Sequence, residues 1–489
     1  MVLRELLASA GYVCPKTLEN IEISGIECDS RRVARGNVFV ALAGLREDGF
    51  SHIGEAIARG AALIVAEREA KGAPSFAVRD ARAATARLYD AWYGHPAKTL
   101  SLIGVTGTNG KTSVSTMIAA VLRRAGVSCG LIGTVECSLD GKKISAPNAD
   151  RLANMTTPDP AQLYAVLAEM RDKGARYVVM EVSSHALTFR KTDPLFFERA
   201  VFTNLSPDHL DLHGDMEAYF AEKRKLFSAC AGAVVNCFSP YGQRLADGLH
   251  VPLWRLDAQT LRKARTDGCR GVSFSIFENG KENSFTLPLV GNFFVENGAL
   301  AALTALSVGV PYAVAADALS TFSGVRGRME RVSDETDDIT VFIDYAHTPD
   351  ALEKLLYSVR DIRESGAKIH LLFGCGGDRD RTKRAVMGRV GSRLADFLIL
   401  TADNSRSEKT ADILRDILRG VDREKPHTVI ENRKDAIAFA LQNAKSGDIV
   451  ILAGKGHEEY EIIGQERLPF SERDVVREEL LRRKKGGGK

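Results

Sequence analysis

Residues 100–112 read LSLIGVTGTNGKT, and the fold follows from how that stretch is parsed. Leu100 to Val105 is an apolar run of strand type that breaks into the turn Thr106-Gly107-Thr108-Asn109-Gly110. Beyond Lys111 and Thr112, the residues Val114, Met117, Ile118, Val121 and Leu122 recur at helical spacing. Arg123 and Arg124 close that helix and Gly126 caps it. A glycine-rich turn that opens a helix presents backbone N–H groups to phosphate, with the helix dipole behind them. A lysine there adds charge, and the hydroxyl after it serves Mg²⁺. Gly107, Thr108, Asn109, Gly110, Lys111, Thr112 and Ser113 are therefore candidate nucleotide contacts. The strict phosphate-loop pattern asks for glycine at 105, where valine stands; the glycines are Gly104, Gly107 and Gly110. A chance Gly-Lys-Thr in an ordinary turn is the competing reading, and strand, turn and helix in series argue against it.

Outward from this turn, 489 residues at roughly 100–200 per domain suggest three domains. Breaks fall at Trp92-Tyr93-Gly94-His95-Pro96 and in the polar, acid-rich stretch 333–338, so the expected domains are 1–96, 97–332 and 333–489. From about 100 to 327 strands alternate with helices, and the fold class expected is α/β with a wound sheet. Apolar residues make up 45% and charged residues 26%, which excludes a disordered or fibrous class. A net charge of +3 gives no basic excess of the kind that nucleic acid or a membrane surface recruits. Apolar runs are too short to span a bilayer, and the N-terminal stretch Val2, Leu3, Leu6, Leu7 encloses Glu5 and lacks a signal-peptide core. Eight cysteines without a CxxC pair argue against a disulfide framework or zinc ribbon. The tail RRKKGGGK from Arg482 reads as a solvated end.

Residues 177–180 form an apolar strand ending at Glu181, and a carboxylate at such a strand end beside a phosphate loop commonly serves the nucleotide's Mg²⁺. A solvated strand-end acid is the bland alternative. NLSPDHLDLHG (204–214) sets His209 and His213 four apart, a zinc-pair spacing on a helix. Pro207 and Asp208 mark a turn or helix start there, which weakens zinc. In the helix expected over 216–227, Tyr219, Lys223, Leu226 and Phe227 share one face. Lys223 either snorkels to solvent or is desolvated, with a lowered pKa and chemistry open to it. GNFFVENGALAAL from Gly291 carries Asn297, GVRGRMER carries Arg328, and DYAHTPD carries Asp344 and His347. Together they put a hydrogen-bonder, a cation and an acid around a domain seam, where pockets form. Farther on, Ile369–Phe373, Phe397–Leu400 and 449–452 each run into a polar turn: GCGGDRD, TADNSR and AGKGHE. Open α/β sheets bind ligands at these carboxyl ends.

These motifs, with CDSRRVARGNVFVALAG (28–44), EVSSHAL (181–187) and KRKLF (223–227), come in the order found in the Mur ligases. The chain resembles that family over nearly its whole length, and most nearly the members that add the third residue of the peptidoglycan stem peptide. The resemblance implies an N-terminal UDP-binding domain, a central P-loop ATPase domain and a C-terminal Rossmann-like domain. It implies ATP-dependent amide formation: the γ-carboxylate of D-Glu in UDP-MurNAc-L-Ala-D-Glu attacks the γ-phosphate, and the amine of meso-diaminopimelate then displaces phosphate. It also implies Mg²⁺, small-molecule partners alone with no nucleic acid and no membrane insertion, a cytoplasmic location and a monomer.

Residue by residue, the resemblance makes Lys111, His209, Lys223, Arg328 and His347 catalytic and Thr112, Glu181, His209 and Lys223 metal ligands, Lys223 as a carbamate (N6-carboxylysine). Asn297 would meet adenine, Arg328 the γ-phosphate, Asp344 the ribose and His347 the phosphate region. Ser30, Thr156, Thr157 and Ser183 would hold the UDP-sugar dipeptide, with either Arg190 or Lys191. Arg379, Asp403, Asn404, Ser405, Arg406, Gly454 and Glu458 would form the amino-acid pocket. Arg406 could grip a distal carboxylate bidentately, which favours meso-diaminopimelate over L-lysine.

Three departures stand out. The family's usual DNPR is Asp403-Asn404-Ser405-Arg406 here, and without proline the turn is expected to loosen. The arginine expected four residues past Leu187 is Lys191, with Arg190 one place earlier. The DGH of many members is Asp48-Gly49-Phe50, with His52 two places on. The competing readings are a relative such as a folylpolyglutamate synthase, the same reaction with L-lysine or another diamino acid, and a P-loop ATPase switch.

Overall fold

Among the described residues, strands alternating with helices build three main sheets, with a smaller antiparallel sheet and a hairpin beside them. The computed structural model describes residues 1–44, 47–144, 155–278 and 280–486. The first unit runs α1 (Leu3–Ser9), β1 (Gly25–Glu27), β2 (Asn37–Val40), α2 (Ile53–Ala58), β3 (Leu63–Ala66), β4 (Ser75–Ala77) and α3 (Ala81–Trp92). Its four parallel strands lie in the order β1-β2-β3-β4. β2 and β3 are buried throughout, which is why they read as unbroken apolar runs. Asp80 caps α3 by accepting from the Ala83 N–H.

The central unit begins with β5 (Ser101–Thr106), α4 (Lys111–Arg124), β6 (Cys129–Ile132), β7 (Cys137–Leu139), β8 (Lys142–Lys143), α5 (Pro160–Asp172), β9 (Tyr177–Glu181) and α6 (Ser184–Thr188). It continues through β10 (Arg199–Phe202), α7 (Leu210–His213), α8 (Met216–Arg224), β11 (Ala233–Asn236), α9 (Pro240–Asp247) and β12 (Leu253–Leu256). The eight-stranded sheet has the order β12-β11-β10-β5-β9-β6-β7-β8, so β5 delivers the glycine turn at mid-sheet, between β10 and β9.

The expected winding is interrupted twice. β6, β7 and β8 pair antiparallel, and β13 (Leu261–Thr266), β14 (Val272–Glu278) and β15 (Lys281–Leu287) form a separate antiparallel sheet. β13 reads LRKART with its four inner residues exposed, so no apolar run betrays it in the sequence. The buried side of this small sheet, with Phe274 stacked on Phe285 at 5.4 Å, packs against α10 (Phe293–Ser307) and α11 (Tyr312–Ser320).

The C-terminal unit comprises β16 (Glu330–Arg331), β17 (Thr340–Asp344), α12 (Pro349–Ile362), β18 (Ile369–Phe373), α13 (Thr382–Leu394), β19 (Phe397–Leu400), α14 (Thr410–Leu418), β20 (His427–Val429), α15 (Arg433–Asn443) and β21 (Ile449–Ala453). Their order is β16-β17-β21-β18-β19-β20, with β16 the antiparallel edge. The chain thus enters this sheet at Glu330, ahead of the break expected at 333. Neighbouring strands β21, β18 and β19 bring the AGKGHE, GCGGDRD and TADNSR turns side by side. A hairpin of β22 (Tyr460–Ile463) and β23 (Glu466–Pro469) and the helix α16 (Glu472–Gly486) follow. The described part of the tail is therefore helical and docked: Arg483 pairs with Asp338 at 2.7 Å and donates to the Leu441 carbonyl. Residues 487–489 of the tail lie outside the described residues. No described helix is long and apolar enough to cross a membrane.

Candidate active site between the central and C-terminal sheets

A cavity of about 340 Å³ opens over the glycine turn. Residues 108–113, Thr134, Thr156, Glu181 and His209 line it from the central unit, with Phe293, Glu296 and Asn297 of α10. Arg328, Asp344, His347, Lys354, Leu355 and Glu458 close it from the far side. The turn's glycines are forced. At Gly107 a Cβ would lie 1.9 Å from the Thr203 hydroxyl, and at Gly110, with φ +84°, 2.6 Å from Asn297 Oδ1. The turn is held from behind: Asn109 N–H donates to Asn204 Oδ1 at 2.9 Å, and the Thr203 hydroxyl donates to Asn109 O at 2.6 Å.

Charged and hydroxyl groups converge on Thr112. Its hydroxyl donates to Glu181 Oε2 at 3.1 Å and accepts from Arg328 Nη2 at 3.0 Å. Glu181 is further fixed by Thr134, whose N–H donates at 2.9 Å and whose hydroxyl donates at 3.1 Å. Lys111 Nζ folds over the turn onto the Gly107 and Thr108 carbonyls, both at 2.9 Å, and burial lowers its pKa. His347 donates through Nδ1 to Tyr345 O at 2.8 Å, which leaves Nε2 as an acceptor. Loss of water holds His347 and His209 at about 4, so both are neutral at pH 7. Asp344 accepts the N–H groups of Met329 and Ala346 at 2.6 and 2.7 Å, and burial raises its pKa.

The oxygen donors at the turn suit Mg²⁺. Among the described residues, no group of three His, Cys, Asp or Glu side chains could hold a metal alone. Mg²⁺ needs no such group: it takes one or two protein oxygens and completes its shell with phosphate and water. Thr112 and Glu181, adjacent oxygen donors at the phosphate turn, fit that demand. A zinc pair is not formed. His209 sits at left-handed φ (54°) ahead of α7, while His213 bonds the Ser184 hydroxyl at 3.0 Å and stacks on Tyr219 at 4.9 Å.

Lys223 does not snorkel. It is 1% exposed, lies 4.6 Å from the Tyr219 ring centroid, and donates to Gly107 O at 2.8 Å from behind the turn. Burial, and next the charge of Lys111, push its pKa well down. Its Nζ is taken up by the Gly107 carbonyl, and Lys223 is not among the residues that line the cavity.

Of the residues expected to meet the UDP-sugar dipeptide, Thr156, Thr157, Ser183 and Lys191 come together. Thr156 lines the cavity, Thr157 donates to Glu181 O at 2.9 Å, and Ser183 N–H donates to Thr157 Oγ1 at 3.0 Å. Lys191 Nζ reaches Asp159 at 2.8 Å and Thr157 O at 3.4 Å. Arg190 is instead tied to Asp80 and Asp193, both at 2.7 Å. Ser30 is not in this cavity; it lies in the N-terminal unit and donates to Glu55 at 2.6 Å.

The C-terminal turns form the other end. Asn404 Nδ2 donates to Glu458 Oε2 at 2.8 Å, and Asn404 Oδ1 accepts from Lys455 Nζ at 3.2 Å and from Ile462 N–H at 2.9 Å. Arg379 and Arg406 flank Gly376, where a Cβ would meet Arg406 Nη1 at 2.9 Å and Arg379 Cγ at 3.6 Å. At Gly454 a Cβ would come within 2.9 Å of Asp403. Burial, and next Asp403, raise the pKa of Glu458. Around Ser405 the turn is tied by burial and by backbone hydrogen bonds. Ser405 is buried, and the backbone beyond it is pinned as Arg406 N–H donates to Ile462 O and Gly464 N–H to Arg406 O.

Sequence reasoning missed the cavity residues Thr134, Phe293, Glu296, Lys354 and Leu355. Lys354 and Leu355 carry no local signal, because their role at the cavity depends on α12 arriving from another sheet.

Three family descriptions match in series: "Mur ligase family, catalytic domain" over 22–92, "Mur ligase middle domain" over 105–306, and "Mur ligase, glutamate ligase domain" over 327–456. A protein of Gloeobacter violaceus named UDP-N-acetylmuramoyl-L-alanyl-D-glutamate–2,6-diaminopimelate ligase is 42% identical, covering 100% of this chain and 99% of that one. A like-named protein of Caldanaerobacter subterraneus is 40% identical over 95% of this chain and 96% of its own. A solved structure of that name superposes with TM-score 0.69 at 29% identity, covering 99% of both chains. A folylpolyglutamate synthase of Mycobacterium tuberculosis, at 20% identity and TM-score 0.63, covers 76% of this chain and 92% of its own and shares the fold. With all three domains matched in order and full-length relatives at about 40% identity, the chain belongs to the Mur ligase family.

Proposed function

We propose that the chain is the ATP-dependent ligase that adds meso-diaminopimelate to UDP-N-acetylmuramoyl-L-alanyl-D-glutamate in peptidoglycan precursor synthesis. The observation that carries this reading is one cavity shared by the phosphate turn, with Lys111, Thr112 and Arg328, and by Glu458 of the amino-acid turns. The full-length relatives bearing that name support it.

The chemistry follows from the placement. The turn's N–H groups, Lys111 and Arg328 hold ATP's phosphates and stabilise charge on the transferred group. The D-Glu carboxylate, positioned by Thr156, Thr157, Ser183 and Lys191, attacks the γ-phosphorus to give an acyl phosphate and ADP. The amine of diaminopimelate then attacks the acyl carbon, and phosphate leaves. Neutral His347 at the cavity wall can accept a proton at Nε2. Arg379 and Arg406 would grip the distal carboxylate and Glu458 the ammonium beside it. Closing two sheets over the acyl phosphate excludes water that would hydrolyse it. Mg²⁺, held by Thr112 and Glu181 with His209 beside them, would neutralise phosphate charge. Lys223, desolvated and with its pKa pushed well down, is set to react with CO₂ through its neutral form; its carbamate would supply a further anion behind the turn. The protein is a cytoplasmic monomer in this reading.

An amino-acid panel with UDP-MurNAc-L-Ala-D-Glu, ATP and Mg²⁺ tests the proposal. Ligation of meso-diaminopimelate is expected, and equal or better use of L-lysine overturns the amino-acid assignment.

A further inference from the structure

The cavity has an apolar end, lined by Phe293 of α10 and by Ala351 and Leu355 of α12. With a triphosphate over residues 107–112, and its terminal phosphate toward Arg328 and Glu181, this end is where the base goes. Its polar wall is Asn297 and, one residue earlier, Glu296. Glu296 is not free to turn. Asn236, buried at the end of β11, has its amide orientation set because Oδ1 accepts from the Phe238 N–H at 3.1 Å. Nδ2 must then face Glu296, and it donates to Oε2 at 2.7 Å. The second oxygen, Oε1, takes no hydrogen bond from any described residue, while the side chain lines the cavity.

We infer that Glu296 selects the base, favouring a purine whose six-position carries an amine over one that carries a carbonyl. An ionised carboxylate accepts hydrogen bonds and cannot donate. It would accept from adenine's exocyclic amine and repel the carbonyl oxygen of hypoxanthine or guanine. Held by Asn236, it cannot swing away, so the mismatch is met as an unpaired polar contact. This inference rests on the ATP-ligase reading and adds a specificity residue to it.

The test compares ADP with IDP in binding, and ATP with ITP in ligation, for wild type and Glu296→Gln. Glutamine keeps the shape and can turn its amide to donate to the carbonyl. Wild type should prefer the adenine nucleotide by about tenfold or more, and Glu296→Gln should shrink that ratio about tenfold, chiefly by improving IDP and ITP. Each ratio is taken on one preparation, so a reduced folded fraction cancels. An unchanged ratio in a variant that still uses ATP overturns this inference alone. A wild type that binds neither nucleotide overturns the ligase reading, and this inference with it.

Discussion

The side-chain amide of Asn109, at the tip of the phosphate turn, donates to the carboxylate of Asp350 on α12 at 2.9 Å. The same carboxylate oxygen accepts from the Ser206 hydroxyl at 3.0 Å and from Lys354 at 3.1 Å. Asp350 therefore ties the C-terminal sheet to two loops of the central one, directly at the nucleotide site.

Asp350→Ala should weaken closure and release the Asn109 side chain, while Lys111, Thr112 and Arg328 keep their own partners. Hydrogen bonds to a charged group are each worth about 1.5–3 kcal/mol, so kcat/KM for ligation should drop by roughly ten- to a hundredfold. Steady-state kinetics check this, together with ATP hydrolysis in the absence of acceptor, which should be slow in wild type because substrate binding assembles the closed site. Equal hydrolysis rates with and without both substrates end the closure argument.

Lys223→Ala should abolish ligation, because it removes both the hydrogen bond to Gly107 and the proposed carbamate. CO₂ reacts only with the neutral amine, and burial favours that form. Partial rescue is expected from bicarbonate plus a short-chain carboxylic acid. Intact-mass measurement under mild conditions should find 44 Da more on wild type, as CO₂ addition dictates. Full activity of Lys223→Ala ends the idea.

Arg406→Ala should lose meso-diaminopimelate selectively. A gripped carboxylate contributes roughly ten- to a hundredfold per hydrogen bond. Ligation rates for meso-diaminopimelate and L-lysine on wild type and variant are the measurement. The diaminopimelate rate should fall by at least about tenfold while the lysine rate stays near its starting value.

Acid stability should depend on Glu408. Arg384 donates to both its oxygens, at 2.8 and 3.0 Å, and Asp378 N–H donates at 2.7 Å. The Arg384 hydrogen bonds, above all, bring Glu408 from 4.5 down to about 2. A pKa lower in the folded than in the unfolded chain stabilises fully above the unfolded value. That contribution is lost as pH falls from about 4.5 through about 2. Glu408→Gln should lower Tm at pH 7 and flatten the Tm–pH curve across that window, as thermal melts from pH 7 to 2 would record.

The sequence by itself determined the local chemistry. LSLIGVTGTNGKT specified strand, glycine turn and helix, because a glycine-rich turn, a lysine and a helical apolar period are short-range signals. The same holds for the apolar strands that end in AGKGHE, GCGGDRD and TADNSR, since open α/β sheets bind ligands at the carboxyl ends of their strands. What the tertiary structure alone decided was how those pieces meet. Whether Lys223 snorkels or is desolvated depends on what covers its helix face, and the Gly107 carbonyl covers it from 116 residues away. That Lys191 joins Thr157 while Arg190 pairs with Asp80 is set by loop geometry that no spacing encodes. The antiparallel sheet of β13, β14 and β15 escaped notice because β13 is charged and exposed. Glu296 and Asp350 look like ordinary helix-start acids in the sequence; only the arrival of Asn236 from β11 and Asn109 from the glycine turn gives each carboxylate its partner and direction. Short-range pattern writes the backbone and its motifs, whereas burial and hydrogen bonding between distant segments decide which groups of those motifs face the cavity.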